Sequence, residues 1–255
     1  MYNNIFDTHS HYDDEQFDTD RYALLDTLHK NGVCNIISCG CDFETIKTNQ
    51  MLADKYDFFY FAAGFHPECL EGIDLSAAIA EIKKAAADKN CVAIGEIGLD
   101  YHWMSSSREK QREFFTAQIE TAKVLDLPVI VHDREAHGDT LEILKATKPQ
   151  GVVHCFSGSK EMAQEIIRLG MYIGLNGVVT FKNARKSLEV VNTIPLDRLV
   201  LETDCPYLAP EPKRGRRNDS SLIPFIAVRI GKVLGISPQK LLDITADNAK
   251  RLYNL

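Results

Sequence analysis

The sequence lacks several features that mark large classes of proteins. It has no apolar run approaching the ~20 residues that span a bilayer. Its opening residues, Met-Tyr-Asn-Asn, contain no basic segment followed by an apolar one, so no secretory signal is expected. No Gly-x-Gly-x-x-Gly follows an apolar run, which weighs against a dinucleotide-binding fold. Repeats, low-complexity segments and linkers are also missing, and a single domain over residues 1–255 is predicted.

Paired cysteine motifs and an excess of basic residues are absent as well. The seven cysteines are an odd number, and Cys39-Gly40-Cys41 is too closely spaced for a CxxC zinc or redox motif. Together with the missing signal, they predict reduced, mostly buried thiols in a cytoplasmic protein. The formal net charge of −7 weighs against a protein that coats nucleic acid through a general basic surface. It is compatible with local binding of the end of a single nucleic-acid strand. We expect a monomer without a membrane partner.

What the sequence does contain is an alternation of short apolar runs and amphipathic segments. Short parallel strands need crossover helices, and eight such units fit the length of 255 residues. We therefore predict an α/β fold, a closed (β/α)8 TIM barrel. The predicted strands cover residues 4–7, 34–38, 58–63, 91–94, 128–131, 152–153, 171–174 and 199–201. The predicted helices cover residues 20–31, 42–55, 75–89, 107–125, 140–147, 160–169, 223–234 and 238–253.

Two histidines lie where the first predicted strand reaches the surface, in Asp7-Thr8-His9-Ser10-His11. Side chains at positions i and i+2 of a strand point to the same face. His9 and His11 therefore present two imidazoles side by side, which suits a divalent transition metal. Taken alone, the pair could equally be a solvated polar segment.

Other polar residues occur at the ends of the later predicted strands, where barrel enzymes carry their chemistry. Six of the eight histidines fall at or near such an end: His9, His11, His66, His132, His137 and His154. Glu96 follows the fourth strand and Asp204 the eighth. Any one of these histidines could be a satisfied core residue. Their shared placement on one rim nevertheless predicts a functional site.

Four imidazoles and two carboxylates exceed the needs of one tetrahedral zinc. The predicted metal ligands are His9, His11, Glu96, His132, His154 and Asp204. A carboxylate from the middle of the barrel can bridge two cations about 3.5–4 Å apart, as in two-metal hydrolysis of phosphate esters. We therefore predict two divalent ions, with Mg, Mn and Zn all compatible with the ligands. Glu96 and Asp204 are the predicted catalytic residues, and Asp204 could hold a metal or accept a proton from water.

Several of these segments closely resemble the TatD family of metal-dependent deoxyribonucleases. The matching segments are Asp7-Thr8-His9-Ser10-His11, Gly64-Phe65-His66-Pro67, Gly95-Glu96-Ile97-Gly98-Leu99-Asp100-Tyr101, His154-Cys155-Phe156-Ser157-Gly158 and Leu201-Glu202-Thr203-Asp204-Cys205-Pro206-Tyr207-Leu208. The resemblance extends over essentially the whole chain. It implies a TIM barrel of the amidohydrolase type, two divalent metals on the same six ligands, and hydrolysis of DNA phosphodiesters, commonly 3′-to-5′ from a single-stranded end.

Substrate contacts are expected from residues near the metal ligands. The candidates are His66, Trp103, Arg134, and Arg214 and Arg217 in the basic loop that also contains Lys213 and Arg216. The only tryptophan could stack on a base, a contact worth ~1–3 kcal/mol in single-strand binders. Each candidate has an ordinary alternative: a rim cap, a packed anchor or a solvated charged loop. Two departures from the family, Asp219-Ser220 in place of Glu-Pro and His102-Trp103 after Tyr101, lie on the substrate side.

Two other functions stay open at this point. The same metals could serve an amidohydrolase-type hydrolase of a small amide, ester or lactone. Many of those enzymes place a carboxylated lysine at a strand end, and no predicted strand here ends in lysine. The third possibility is a non-catalytic protein that metal ions merely stabilise. It requires that Asp204→Asn leave all function intact.

Overall fold

Eight parallel strands follow one another around a barrel in the computed structural model, which describes residues 2–255. The strands are β1 (Ile5–Ser10), β2 (Val33–Cys39), β3 (Phe59–Ala62), β4 (Cys91–Asp100), β5 (Val129–Arg134), β6 (Gly151–Val153), β7 (Tyr172–Leu175) and β8 (Leu199–Leu201). Each strand pairs in parallel with the next along the chain. The predicted TIM-barrel fold is confirmed.

The seam between β8 and β1 is less regular than the other strand pairs. Within residues 2–255, no ladder joins these two strands; a single bridge links Ser10 at the end of β1 to Cys205 in the loop after β8. Two backbone hydrogen bonds reinforce it, from His11 N to Cys205 O at 2.8 Å and from Asp204 N to His9 O at 3.0 Å. The barrel is thus nearly closed, and residues from β1 and from the loop after β8 lie next to each other.

Helices cover the outside of the barrel and supply the crossover connections. They are α1 (Arg21–Lys30), α2 (Phe43–Lys55), α3 (Leu75–Ala85), α4 (Arg108–Leu125), α5 (His137–Thr147), α6 (Lys160–Arg168), α7 (Arg185–Val191), α8 (Ile223–Leu234) and α9 (Pro238–Tyr253). Side chains cap several of them; Ser237, for example, accepts a hydrogen bond from Lys240 N at the start of α9, before Pro238 at the first helical position. The apolar faces of the helices and strands form the main core.

The amino-terminal end of the barrel is closed by α9. Its apolar residues, among them Leu252 and Tyr253, pack against strand residues that point into the barrel, such as Phe6 and Ile130. The rings of Phe6 and Tyr253 lie 6.4 Å apart. We call this apolar group (Phe6, Ile37, Ile130, Val152, Val200, Leu252 and Tyr253) the barrel floor. The polar side chains that cluster in the barrel lie at the opposite, carboxyl-terminal end.

Some element boundaries differ from the sequence predictions. β4 continues to Asp100 instead of ending at residue 94, and β1 extends to Ser10, so Glu96 and His9 lie within strands rather than after them. In the added part of β4, Gly98 (φ +153°) allows close approach to β5, because a Cβ there would collide with His132 O. Helix α3 ends four residues earlier than predicted, and α7 was not predicted.

No single helix among residues 2–255 has the length and apolar composition to cross a membrane. Segments Ser220–Leu234 and Pro238–Tyr253 meet that test only when joined, and they are bent by 106° relative to each other. The seven cysteines are all free thiols. Only Cys39, Cys91 and Cys205 among them are buried, so the prediction of mostly buried cysteines is wrong.

Candidate metal centre

The six residues predicted to bind metal converge at the carboxyl-terminal end of the barrel. His9 lies in β1 with His11 just after it, Glu96 lies in β4, His132 in β5, and His154 and Asp204 follow β6 and β8. Their ligand atoms form overlapping clusters in which all atoms lie within 4.8 Å of one another. The barrel thus brings together side chains that are nearly two hundred positions apart in the chain.

One cluster, which we call the first donor group, consists of His9 Nε2, His11 Nε2, Glu96 Oε2 and Asp204 Oδ1. The two imidazole nitrogens are 3.1 Å apart. Each lies 3.4 Å from Glu96 Oε2 and 3.5 Å from Asp204 Oδ1. Four donors at ~2.1 Å from a tetrahedral zinc would stand ~3.4 Å from one another. The spacing therefore fits one divalent transition metal.

The other cluster, the second donor group, consists of His132 Nδ1, His154 Nε2 and Glu96 Oε1. The carboxylate oxygen lies 2.8 Å from His132 Nδ1 and 2.7 Å from His154 Nε2, and the two nitrogens are 3.5 Å apart. Glu96 thus directs one oxygen to each group. Three protein donors with an open position are typical of catalytic rather than structural zinc sites.

The charges of these residues also favour a cation. Burial acts to lower the pKa of His132, but hydrogen bonds to Asp100 and Glu96 outweigh burial and raise that pKa to about 9. Burial acts to raise the pKa of Glu96, yet the surrounding imidazoles hold it well below its usual range. Hydrogen bonds to His11 and His9 likewise outweigh burial and lower the pKa of Asp204. The ionised carboxylates attract positive charge, which protons or divalent cations can supply.

A buried hydrogen-bond network fixes the first strand to the loop after β8. The Asp7 carboxylate accepts hydrogen bonds from Thr203 N (2.9 Å), Thr203 Oγ1 (2.6 Å) and Ser220 Oγ (2.7 Å). Burial raises the pKa of Asp7 to about 7, although these hydrogen bonds act to lower it. Asp7 and Thr203 therefore hold the backbone segments that carry His9 and Asp204, which explains their place in the sequence motifs.

Above the two donor groups is an open cavity of about 830 Å³. Its lining includes three of the predicted substrate-binding residues, His66, Trp103 and Arg134. Nδ1 of His66 accepts the N–H of Glu68 (3.2 Å), so a neutral His66 carries its proton on Nε2, which lies 3.5 Å from Glu96 Oε1. The guanidinium of Arg134 lies 5.4 Å from the centre of the Trp103 ring. These three side chains border the place where a substrate would meet the metal centre.

Arg214 and Arg217 are not brought into this cavity. Arg217 forms a two-pronged ion pair with Asp20, at 2.8 and 2.6 Å, and also donates to Gln16 O at 2.7 Å. Arg214 lies over the ring of Phe181 at 4.5 Å. Both guanidinium groups contact neighbouring segments of the barrel, and neither lines the cavity.

The sequence prediction did not include four residues that contact the site. Tyr207 lines the cavity with an exposed ring, and its hydroxyl donates to Asp14 Oδ2 at 2.7 Å. Asp100, Glu202 and Cys39 lie next to the imidazole nitrogens that face away from the donor groups. Asp100 and Glu202 are part of the motifs quoted above, but their contacts depend on strand register, which the motifs do not reveal.

Comparison with known proteins agrees with this geometry. The family described as TatD related DNase matches residues 6–254. The chain belongs to the TatD family. It is 42% identical to the uncharacterized metal-dependent hydrolase YabD of Bacillus subtilis over 98% of this chain and 99% of that protein. It is 38% identical to the 3′-5′ ssDNA/RNA exonuclease TatD of Rahnella sp., with 94% of each chain covered.

A solved structure and a further relative agree with the family assignment, the structure also in its fold. The crystal structure of YJJV, a TatD homologue from Escherichia coli K12, superposes with a TM-score of 0.90 at 30% identity and covers 100% of both chains. The Escherichia coli K12 metal-dependent hydrolase YcfH is 34% identical over 98% of this chain and 96% of that protein. The protein is therefore a TatD-family metal-dependent hydrolase with a His, Glu and Asp cluster suited to metal binding.

Proposed function

We propose that this hydrolase cleaves phosphodiester bonds of single-stranded DNA, one nucleotide at a time from the 3′ end, with two divalent ions. One observation carries the proposal: the Glu96 carboxylate directs one oxygen to each of two imidazole pairs at the base of an open cavity. The relatives from Rahnella and Cronobacter sakazakii are named 3′-5′ ssDNA/RNA exonucleases, which supports a nucleic-acid substrate.

The residues of the two donor groups would hold the ions, and their donor types are compatible with Mg, Mn and Zn. The ions would activate water and neutralise the phosphate. Asp204 is the better placed of the two predicted catalytic carboxylates to accept a proton from the attacking water, because its side chain is 18% exposed whereas that of Glu96 is 4% exposed. Glu96 would keep the two imidazole pairs in register. His66 Nε2–H and the Arg134 guanidinium would donate to phosphate oxygens.

Exposed aromatic rings on two sides of the cavity suit a single strand with unpaired bases. Trp103 follows β4 and is 58% exposed; Tyr207 follows β8 and is 51% exposed. Strands four places apart in an eight-stranded barrel lie opposite each other, so the two rings border opposite sides of the mouth. Each ring could stack on the base beside the scissile phosphate, since stacking is worth ~1–3 kcal/mol per base and needs no sequence match.

The charges in the cavity favour binding of a strand end, with one phosphate at the ions, rather than binding of many phosphates along a strand. Among residues 2–255, the lining contains a single arginine, Arg134, and no lysine. Its carboxylates are Asp13, Asp14, Glu68, Glu96, Asp133 and Asp204. Two divalent ions would offset the charge for one phosphate, but further phosphates would meet carboxylates unless they lay near Arg134. A terminal nucleotide on the side of Tyr207, with the remaining strand leaving past Arg134, satisfies these charges.

The test uses 5′-labelled single-stranded DNA and chelator-stripped protein to which magnesium, manganese or zinc is restored. We expect a ladder that shortens from the 3′ end, requires metal, and is lost in Asp204→Asn protein that still binds cations. A ladder starting at the 5′ label, or internal cuts, would overturn the polarity. Absence of cleavage by a metal-loaded protein would redirect the search to small amides, esters and lactones.

A further inference from the structure

Each of the four imidazoles of the two donor groups has a polar atom beside the ring nitrogen that faces away from the donors. For three of them this atom lies within hydrogen-bond distance, whereas His154 Nδ1 has no hydrogen-bond partner. For His9, Nδ1 lies 3.3 Å from Cys39 Sγ, and for His11 it lies 3.2 Å from Cys39 O. His132 Nε2 lies 3.0 Å from Asp100 Oδ2, and His154 Nδ1 lies 3.6 Å from Glu202 Oε1. The imidazoles of the first group thus have a thiol and a carbonyl as outer partners, whereas those of the second group face carboxylates.

The two groups differ in the opposite way in their inner donors: the group without outer carboxylates has more carboxylates among the donors themselves. The first donor group contains oxygens of two carboxylates, Glu96 and Asp204, while the second contains only Glu96 Oε1. A cation in the second group would therefore meet less direct negative charge. The outer carboxylates, Asp100 and Glu202, lie beside the imidazoles of this second group, which has less negative charge among its inner donors. A carboxylate beside the outer nitrogen makes an imidazole a stronger ligand.

The carboxylate of Glu202 has few polar partners apart from His154. Its side chain is fully buried, and His154 is the only basic side chain in the described part of the chain that forms an ion pair with it. Its Oε1 accepts the N–H of Cys155 at 2.5 Å, and its Oε2 has no hydrogen-bond partner. Space for that oxygen depends on Gly174 in β7, because a Cβ there would collide with Oε2. A buried carboxylate with so few partners is costly unless positive charge lies nearby.

Asp100 is held more firmly and faces the same group. Its Oδ1 accepts hydrogen bonds from the N–H groups of His102 and Trp103, both at 2.9 Å. Its Oδ2 is thereby directed to His132 Nε2, which leaves His132 Nδ1 as the nitrogen that faces Glu96. The two carboxylates come from different places, β4 and the position just after β8, and each lies beside one imidazole of the second group.

We propose that Asp100 and Glu202 are the positioning residues of the second donor group, and that a cation in this group depends on them while a cation in the first does not. Each carboxylate would hold the proton on the outer nitrogen of its imidazole and so keep a lone pair directed at the cation. Removal of such outer partners typically lowers metal affinity by about 10- to 100-fold. The inference rests on the two ions of the proposed function and needs no assumption about the substrate.

The test is a titration of the chelator-stripped full chain with Mn²⁺, in which electron paramagnetic resonance reports the free ion and any coupling between bound ions. For the unchanged protein we expect two bound ions with a coupled signal. For Glu202→Gln and for Asp100→Asn we expect one ion to bind with unchanged affinity, the other to weaken by about 10- to 100-fold, and the coupled signal to disappear at low Mn²⁺.

The matched control is Asp133→Asn. Asp133 lies in β5 next to His132, its side chain is 3% exposed, and its hydrogen bond goes to His137 rather than to a donor-group residue. We expect this variant to keep both ions. Two unchanged affinities in Glu202→Gln and Asp100→Asn would overturn the proposal, as would equal weakening of both ions. If one of these variants fails to fold, as judged by circular dichroism, the other decides.

Discussion

The two ends of the barrel are built from opposite kinds of residues. The barrel floor consists of apolar side chains that pack against α9, while the mouth contains imidazoles and carboxylates whose atoms are crowded within a few ångströms. Burial of apolar surface stabilises the fold, whereas buried ionisable groups generally do not. The contrast teaches that stability and chemistry are separated along the barrel axis, so substitutions at the two ends should have separable effects.

The largest expected effect comes from Glu96→Ala at the mouth, because it removes a donor from both groups. We expect hydrolysis to fall by at least ~10³-fold, since metal ions contribute several kcal/mol of charge stabilisation. The metal-free variant should still fold, as judged by circular dichroism, but at a lower melting temperature, because the buried imidazoles that hold the pKa of Glu96 below its usual range lose their counter-charge. Glu120→Ala, at an exposed carboxylate on α4, is the control. Failure of metal-free Glu96→Ala protein to fold would break the comparison.

The second prediction concerns the floor. Phe6→Ala should lower the free energy of unfolding by about 3–5 kcal/mol, because it leaves a cavity beside Tyr253. Urea denaturation measures this loss, and metal titration should still find the same number of bound ions. Val124→Ala, at a side chain that is 81% exposed, should change stability by no more than ~0.5 kcal/mol. Loss of metal binding in folded Phe6→Ala protein would show that the two ends are coupled.

A smaller effect is expected from the aromatic rings that border the mouth. Trp103→Ala and Tyr207→Ala should each weaken binding of a phosphorothioate single strand by ~1–3 kcal/mol without changing stability, because each removes one stacking surface. Binding is measured on metal-loaded protein by fluorescence anisotropy. Met104→Ala serves as the control, since Met104 is exposed beside Trp103 but does not line the cavity. Equal losses in all three variants would argue against stacking.

The smallest effect distinguishes Arg134 in the cavity from the arginines of the basic loop as the side chain that contacts a phosphate. Arg134→Ala should shallow the log–log salt dependence of single-strand binding by about 0.7, the contribution of one phosphate contact. Arg217→Ala should leave that slope unchanged, because its guanidinium is paired with Asp20. The reverse result would return the substrate contact to the loop after β8.

The sequence was sufficient to predict the barrel and the six residues of the donor groups. Both depend on strong local signals: apolar runs alternating with amphipathic segments, and ionisable residues at strand ends. His9 and His11 illustrate this, because the strand period alone places them on one face, and their Nε2 atoms are indeed 3.1 Å apart.

What the sequence did not reveal depends on contacts between distant positions. The pairing of Arg217 with Asp20 joins residues 197 positions apart, and nothing near Arg217 in the chain indicates it. Glu202 contacts His154 only because β6, β7 and β8 are adjacent and Gly174 leaves room. β4 extends beyond its predicted end, and Gly95 and Gly98 there allow close approach of β5, a contact that the local sequence does not reveal.

The seam between β1 and β8 gives the first donor group a second role. His9 and His11 belong to one side of this seam and Asp204 to the other, where a single bridge takes the place of a ladder. A cation shared by these side chains would act as a cross-link between the two ends of the ring, closing a loop of nearly two hundred residues without a covalent bond. Because an ion that binds only the folded state stabilises it by mass action, metal loading would also lock the barrel shut.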